Sequence, residues 1–197
     1  NVSAARNLFE AVVTITNNSA ATMTDVLYRR AMNWDIPFTE FSEYVTIQGT
    51  GTTTDLIRSS DNGFASSNPL VVGDDYELAG CGVTTYFVDC GVADHGAVFD
   101  FGFGDLAAGE STTFSIFYGA AGNEADALAS LGTIEAELYS LGQYSGDPLG
   151  GTPSTYIFAF SGVGGEILIP TPEPSLLALL GIGLTGVVVA RRRKLQA

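Results

Sequence analysis

VFDFGFGDLAAGESTTFSIFYG, residues 98–119, is two alternating apolar runs on either side of one turn. Successive residues of an extended strand point to opposite faces. Phe99, Phe101 and Phe103 therefore share one face, with Asp100 and Gly102 on the other. Asp105 to Gly109 supplies the turn, and the second run turns Phe114, Ile116 and Tyr118 inward. Each strand has one face to bury and one to leave outside, and such faces are buried by stacking one sheet on another.

The same alternation recurs along the chain. In LFEAVVTITNN (8–18), Phe9, Ala11, Val13 and Ile15 share a face, and Asn17-Asn18-Ser19 makes a turn. TDVLYRR (24–30) puts Val26 and Tyr28 on one side, Leu27 and Arg29 on the other. FSEYVTIQGTGT (41–52) reads as a strand ending at Gly49 and Gly51, and TYIFAFSG (155–162) aligns Tyr156, Phe158 and Phe160. One stretch breaks the rhythm. NEADALASLGTIEAELYSLGQ (123–143) spaces Leu128, Leu131, Leu138 and Leu141 at helical intervals, with Ile134 nearby. Asn123 suits an N-cap, Glu124 and Asp126 suit the positive N-terminal end, and Gly142 suits the position after the helix. The expected fold is mainly β: an antiparallel, immunoglobulin-like β-sandwich over residues 1–166, with one accessory helix near 123–141.

Composition agrees with one packed domain. The chain has 197 residues, 46% of them hydrophobic, 15% charged, and 24 glycines. The charges are segregated. Residues 1–174 hold all 22 acidic residues against Arg6, Arg29, Arg30 and Arg58, a net −18, while the rest carries +4. A body that acidic repels nucleic acid, so nucleic-acid binding is excluded as a function class.

The segment after the body has three parts. ILIPTPEP (167–174) spaces Pro170, Pro172 and Pro174 at every second position, which forces an extended spacer outside any sheet. SLLALLGIGLTGVVVA (175–190) has no charge. As a helix it would reach about 24 Å, short of a hydrocarbon layer of about 30 Å. Snorkelling cations and local bilayer thinning close that gap. Arg191, Arg192, Arg193 and Lys194 follow at once, within a basic stretch at 191–197. The positive-inside rule puts this cluster in the cytoplasm and the acidic body outside, so a single transmembrane helix is expected over 175–190.

Pro172-Glu173-Pro174, the apolar span and the basic cluster together resemble the PEP-CTERM sorting signal of Gram-negative bacteria. The resemblance covers about the last twenty-five residues. It implies export, recognition by an exosortase that cleaves near the motif, and an inner-membrane precursor that is then released to the cell surface or extracellular matrix. Export also needs an N-terminal signal, whereas the chain opens NVSAARNLFEA without an apolar run. The expectation is that a signal has been removed or that the sequence is a fragment. In the body, LAAGESTTFSIFYGAA (106–121) resembles a run common in immunoglobulin-like domains of bacterial surface proteins. YRRAMNWDIPFTEFSEYVTI (28–47) and YIFAFSGVGG (156–165) resemble segments of secreted bacterial proteins.

Cys81 and Cys90 are too far apart for a C-x-x-C metal or redox motif. In the oxidising space outside the cell they are expected to form a disulfide, the alternative being two separate buried thiols. His95 is the sole histidine, and its neighbour Asp94 would point to the opposite face of a strand, so a catalytic relay is not expected. Asp61-Asn62-Gly63, Asp74-Asp75 and Asp147 offer calcium-type oxygens in loops but form no recognised calcium loop. They read as solvated carboxylates. Trp34, in MNWDIPF (32–38), is either a sugar-stacking aromatic or the core aromatic, and the core reading is preferred. No metal, cofactor or catalytic residue is expected. The leading expectation is a non-enzymatic surface or matrix protein associated with exopolysaccharide, with a self-assembling structural subunit as one alternative. The rival is a carbohydrate- or calcium-binding module.

Overall fold

The computed structural model describes residues 3–71, 80–146 and 154–169. These form nine strands and one helix. In chain order the strands are β1 (Leu8–Thr16), β2 (Leu27–Asn33), β3 (Glu43–Gln48), β4 (Leu56–Ser60), β5 (Phe87–Ala93), β6 (Gly96–Gly102), β7 (Ser111–Ala121), β8 (Leu138–Tyr144) and β9 (Thr155–Ser161), with α1 (Glu124–Thr133) between β7 and β8. One sheet has six strands in the order β1-β7-β9-β8-β3-β5, and the other has three in the order β2-β6-β4. Every pairing is antiparallel. The mainly β architecture with one helix is thus the one expected.

The first core lies between the sheets. Phe99 and Phe101 of β6 meet Phe158 and Phe160 of β9, and all four are fully buried. Ring centroids of Phe101 and Phe160 are 4.9 Å apart, as are those of Phe158 and Phe160. Burying one such side chain contributes about 1.5–3 kcal/mol, so this quartet anchors the sandwich. Trp34 belongs to the same core at 5% exposure and donates from Nε1 to Ser140 Oγ at 3.2 Å. It is the core aromatic. Val13 and Ile15 pack here too, but Phe9 stays 70% exposed. The reason is position, since β1 is the outermost of six strands and a three-stranded sheet covers only part of that width.

The second core lies on the other face of the large sheet, beneath α1. Leu8, Phe117, Leu141, Ile157 and Ala159 meet Ala127 and Leu131 of the helix. Asn123 caps α1 as expected: its side chain accepts from the Asp126 amide at 2.9 Å. The predicted extent to residue 141 is corrected. The helix stops at Thr133, Glu135 adopts φ +53°, and residues 138–144 are a strand. Leu138 faces the inter-sheet core and Leu141 the helix-side core, so β8 is buried on both faces. Gly142 is a mid-strand residue, not a helix terminus.

The chain that leaves β9 is fixed to the body. The Glu137 carboxylate accepts from the amides of Gly162, Val163 and Gly165 at 2.9, 2.8 and 2.9 Å. The Leu168 amide donates to the Ala136 carbonyl at 3.1 Å, and Leu168 and Ile169 pack against the helix-side core.

Candidate functional site

At one end of the sandwich the chain concentrates polar groups that no core would choose. β4 runs out into Asp61, whose carbonyl accepts from the Gly96 amide at 2.7 Å as β6 begins. This pairing carries the Asp61 side chain to His95. Asp61 Oδ2 and His95 Nδ1 lie 3.0 Å apart, and both side chains are fully buried. A carboxylate only accepts, so Nδ1 carries the proton and, in the neutral ring, Nε2 holds a bare lone pair. Among the described residues Nε2 has no hydrogen-bond partner. Asp94, the sequence neighbour, is not the partner of His95, and its Oδ1 is likewise buried and unpaired among the described residues.

Glu43 closes the polar group from β3. It is fully buried and accepts from the Ile36 amide at 3.2 Å and the His95 amide at 3.4 Å. Burial pushes its carboxyl above the usual glutamate range, and the backbone donors oppose that push.

Cys81 and Cys90 form a disulfide, as expected, and it lies against the same group. Both sulfur atoms and a ring nitrogen of His95 fall within 4.8 Å of one another. Gly91, next to Cys90 in β5, has φ +155°, and a Cβ there would stand 3.2 Å from His95 Nε2 and 2.5 Å from the Glu43 carbonyl. Glycine is what allows β5 to close over the imidazole.

A second buried charge sits on the outer face of the small sheet. Arg29 of β2 lies directly opposite Asp100 of β6 in the register and grips its carboxylate with Nε and Nη2, the latter at 2.7 Å. Arg29 Nη1 also donates to the carbonyls of Ser66, Asn68 and Val71 at 2.8, 3.1 and 3.1 Å. The guanidinium thereby fastens the segment that follows β4 across that face. This cluster holds the fold and is fully used in doing so.

One sequence reading is changed by this geometry. Asp61 is a buried partner of His95, not a solvated loop carboxylate. His95 is fully buried, and Trp34 presents no stacking surface to solvent. The Asp61–His95 pair, Glu43 and the Arg29–Asp100 pair were not singled out by sequence. For Arg29 and Asp100 a signal existed: alternation places both off the aromatic face of their strands. Asp74, Asp75 and Asp147 lie outside the described residues, as do Pro172, Glu173, Pro174 and Arg191, Arg192, Arg193 and Lys194. The expected membrane helix at 175–190 lies outside them too. Among the described residues no helix is long and apolar enough to cross a membrane.

No curated protein and no solved structure matches the chain. Residues 170–194 match the family model described as the PEP-CTERM protein-sorting motif. That stretch contains the Pro172-Glu173-Pro174 triplet, the uncharged run and the basic cluster through Lys194. The chain therefore carries a PEP-CTERM sorting motif, the mark of an exported protein that associates with the membrane before an exosortase processes it.

Proposed function

We propose that this chain is a non-enzymatic component of the bacterial surface or of an exopolysaccharide-rich extracellular matrix, held in the membrane by a helix at 175–190 until it is processed. The carrying observation is the sorting motif at 170–194, which follows an acidic body of net −18. The buried chemistry supports a structural role. The sole histidine is fully buried, with Nδ1 committed to Asp61. A base so placed cannot meet a substrate in solution.

The test is fractionation of cells with and without the sorting enzyme, followed by mapping of the mature protein's C-terminus by mass spectrometry. The expected surface form lacks Lys194, and Glu173→Ala should leave the chain in the membrane fraction. A surface form with Lys194 intact would contradict processing. The matrix role has its own readout. A structural subunit should strengthen the matrix in proportion to its amount, whereas an enzyme would restore full strength at trace levels.

A second reading, self-assembly of the delivered domain, is favoured by β1. It is an edge strand of nine residues in unbroken register with β7, and Phe9 and Val12 are exposed.

A further inference from the structure

We propose that Cys81, Cys90 and His95 form a three-ligand site for a thiophilic cation of the zinc type when the disulfide is reduced, so that disulfide and metal-bound forms are alternative closed states of one locus. The ligand inventory fits, since two thiolates and an imidazole are among the preferred donors of such cations. The distances fit as well. With metal–sulfur bonds of about 2.3 Å and metal–nitrogen bonds of about 2.0–2.1 Å, ligand atoms around one tetrahedral ion stand about 3.5–3.8 Å apart. The two sulfur atoms and a ring nitrogen of His95 already lie within 4.8 Å of one another.

The independent observation is His95 Nε2. It is fully buried, has no hydrogen-bond partner among the described residues, and belongs to a ring whose Nδ1 is held by Asp61 at 3.0 Å. A carboxylate on the far nitrogen of a ligating imidazole is the usual outer support of a metal-bound histidine, because it fixes tautomer and ring orientation and raises basicity. Gly91 keeps the space at Nε2 free of a side chain. Cys81 and Cys90 are each half-buried, and Cys90 lies on the edge strand β5, so the sulfur side of the locus, unlike the buried imidazole, is open to solvent.

The chemistry balances simply. A dithiol reductant gives two electrons and two protons to the disulfide, the S–S bond breaks, and the reductant leaves as its own cyclic disulfide. The cation then displaces both thiol protons to solvent and accepts the Nε2 lone pair, with no change in its oxidation state. Three protein ligands leave the fourth position to water.

The test uses the full chain in detergent, reduced with a phosphine, freed of reductant without air, and titrated with Co2+ as a spectroscopic substitute for Zn2+. The expected result is uptake of one ion per chain, with thiolate-to-cobalt charge transfer and the intense visible bands of a tetrahedral ion, both lost when Zn2+ is added. The disulfide form should give neither. Because His95 is the only histidine, its imidazole nitrogen resonances are unique. Zn2+ should shift the Nε2 signal of the reduced chain and leave that of the disulfide form unchanged. Asp61→Asn, which keeps all three donors, should weaken binding by about 10–100-fold. If that variant does not fold, the wild-type titrations decide alone. No uptake by the reduced chain, or uptake with an unmoved Nε2 resonance, overturns the proposal.

Discussion

Gly142 lies flat beneath the indole of Trp34, and a Cβ built there would stand 2.4 Å from Trp34 Cδ2. Glycine inside a strand ordinarily weakens it, so alanine at such a position is usually stabilising. Contact reverses the sign here. Gly142→Ala must displace the ring from a filled core, at a cost of about 1–3 kcal/mol. Urea unfolding should show a lower midpoint with an unchanged slope, and an unchanged midpoint would show that the indole shifts freely. At this scale the sequence could be read only in part. The preference for Trp34 as a core residue was legible from its apolar surroundings in MNWDIPF, and the disulfide from its compartment. The Asp61–His95 pair was not, because its partners stand 34 positions apart and meet only through the pairing of β4 with β6.

The element misread is β8, and the reason is geometric. Leucines three positions apart fit one helix face, but they also fit the two opposite faces of a strand. Leu138 and Leu141 take the second option because β8 is covered by the small sheet on one side and α1 on the other. A strand buried on both faces loses the alternation that identifies one. α1 itself was legible from its cap and its first two turns. Tyr139 is the chemical trace of this double burial. Its hydroxyl is pushed up to about 12, first by burial and then by the nearby Glu124 carboxylate. A phenol whose folded-state value exceeds its unfolded value of 10.0 stabilises the fold fully below that pH, and the contribution is lost as pH rises toward about 12. Thermal melts should therefore lose stability across this alkaline window. Tyr139→Phe should flatten the dependence there, and an equally steep loss in the variant would place its origin elsewhere.

Across the whole molecule, the sandwich and the sorting tail were legible because both rest on local patterns, alternation and composition. The division into six strands and three was not, since sheet membership depends on contacts between distant segments. That division leaves two unlike edges on the large sheet. β5 pairs with β3 through two register shifts, whereas β1 is regular throughout. Irregular edges resist strand addition, and long regular ones invite it. Association of the released domain should therefore run through β1. Val12→Lys, at a position 51% exposed, should abolish concentration-dependent association in sedimentation while leaving the melting temperature nearly unchanged. Association that persists in the variant would exclude that edge. The Glu137 clamp has a different consequence, one of reach. With Leu168 held against the body, the four steps to Pro172 span at most about 14 Å even when fully extended. An exosortase that recognises the triplet therefore has to work close to the folded body.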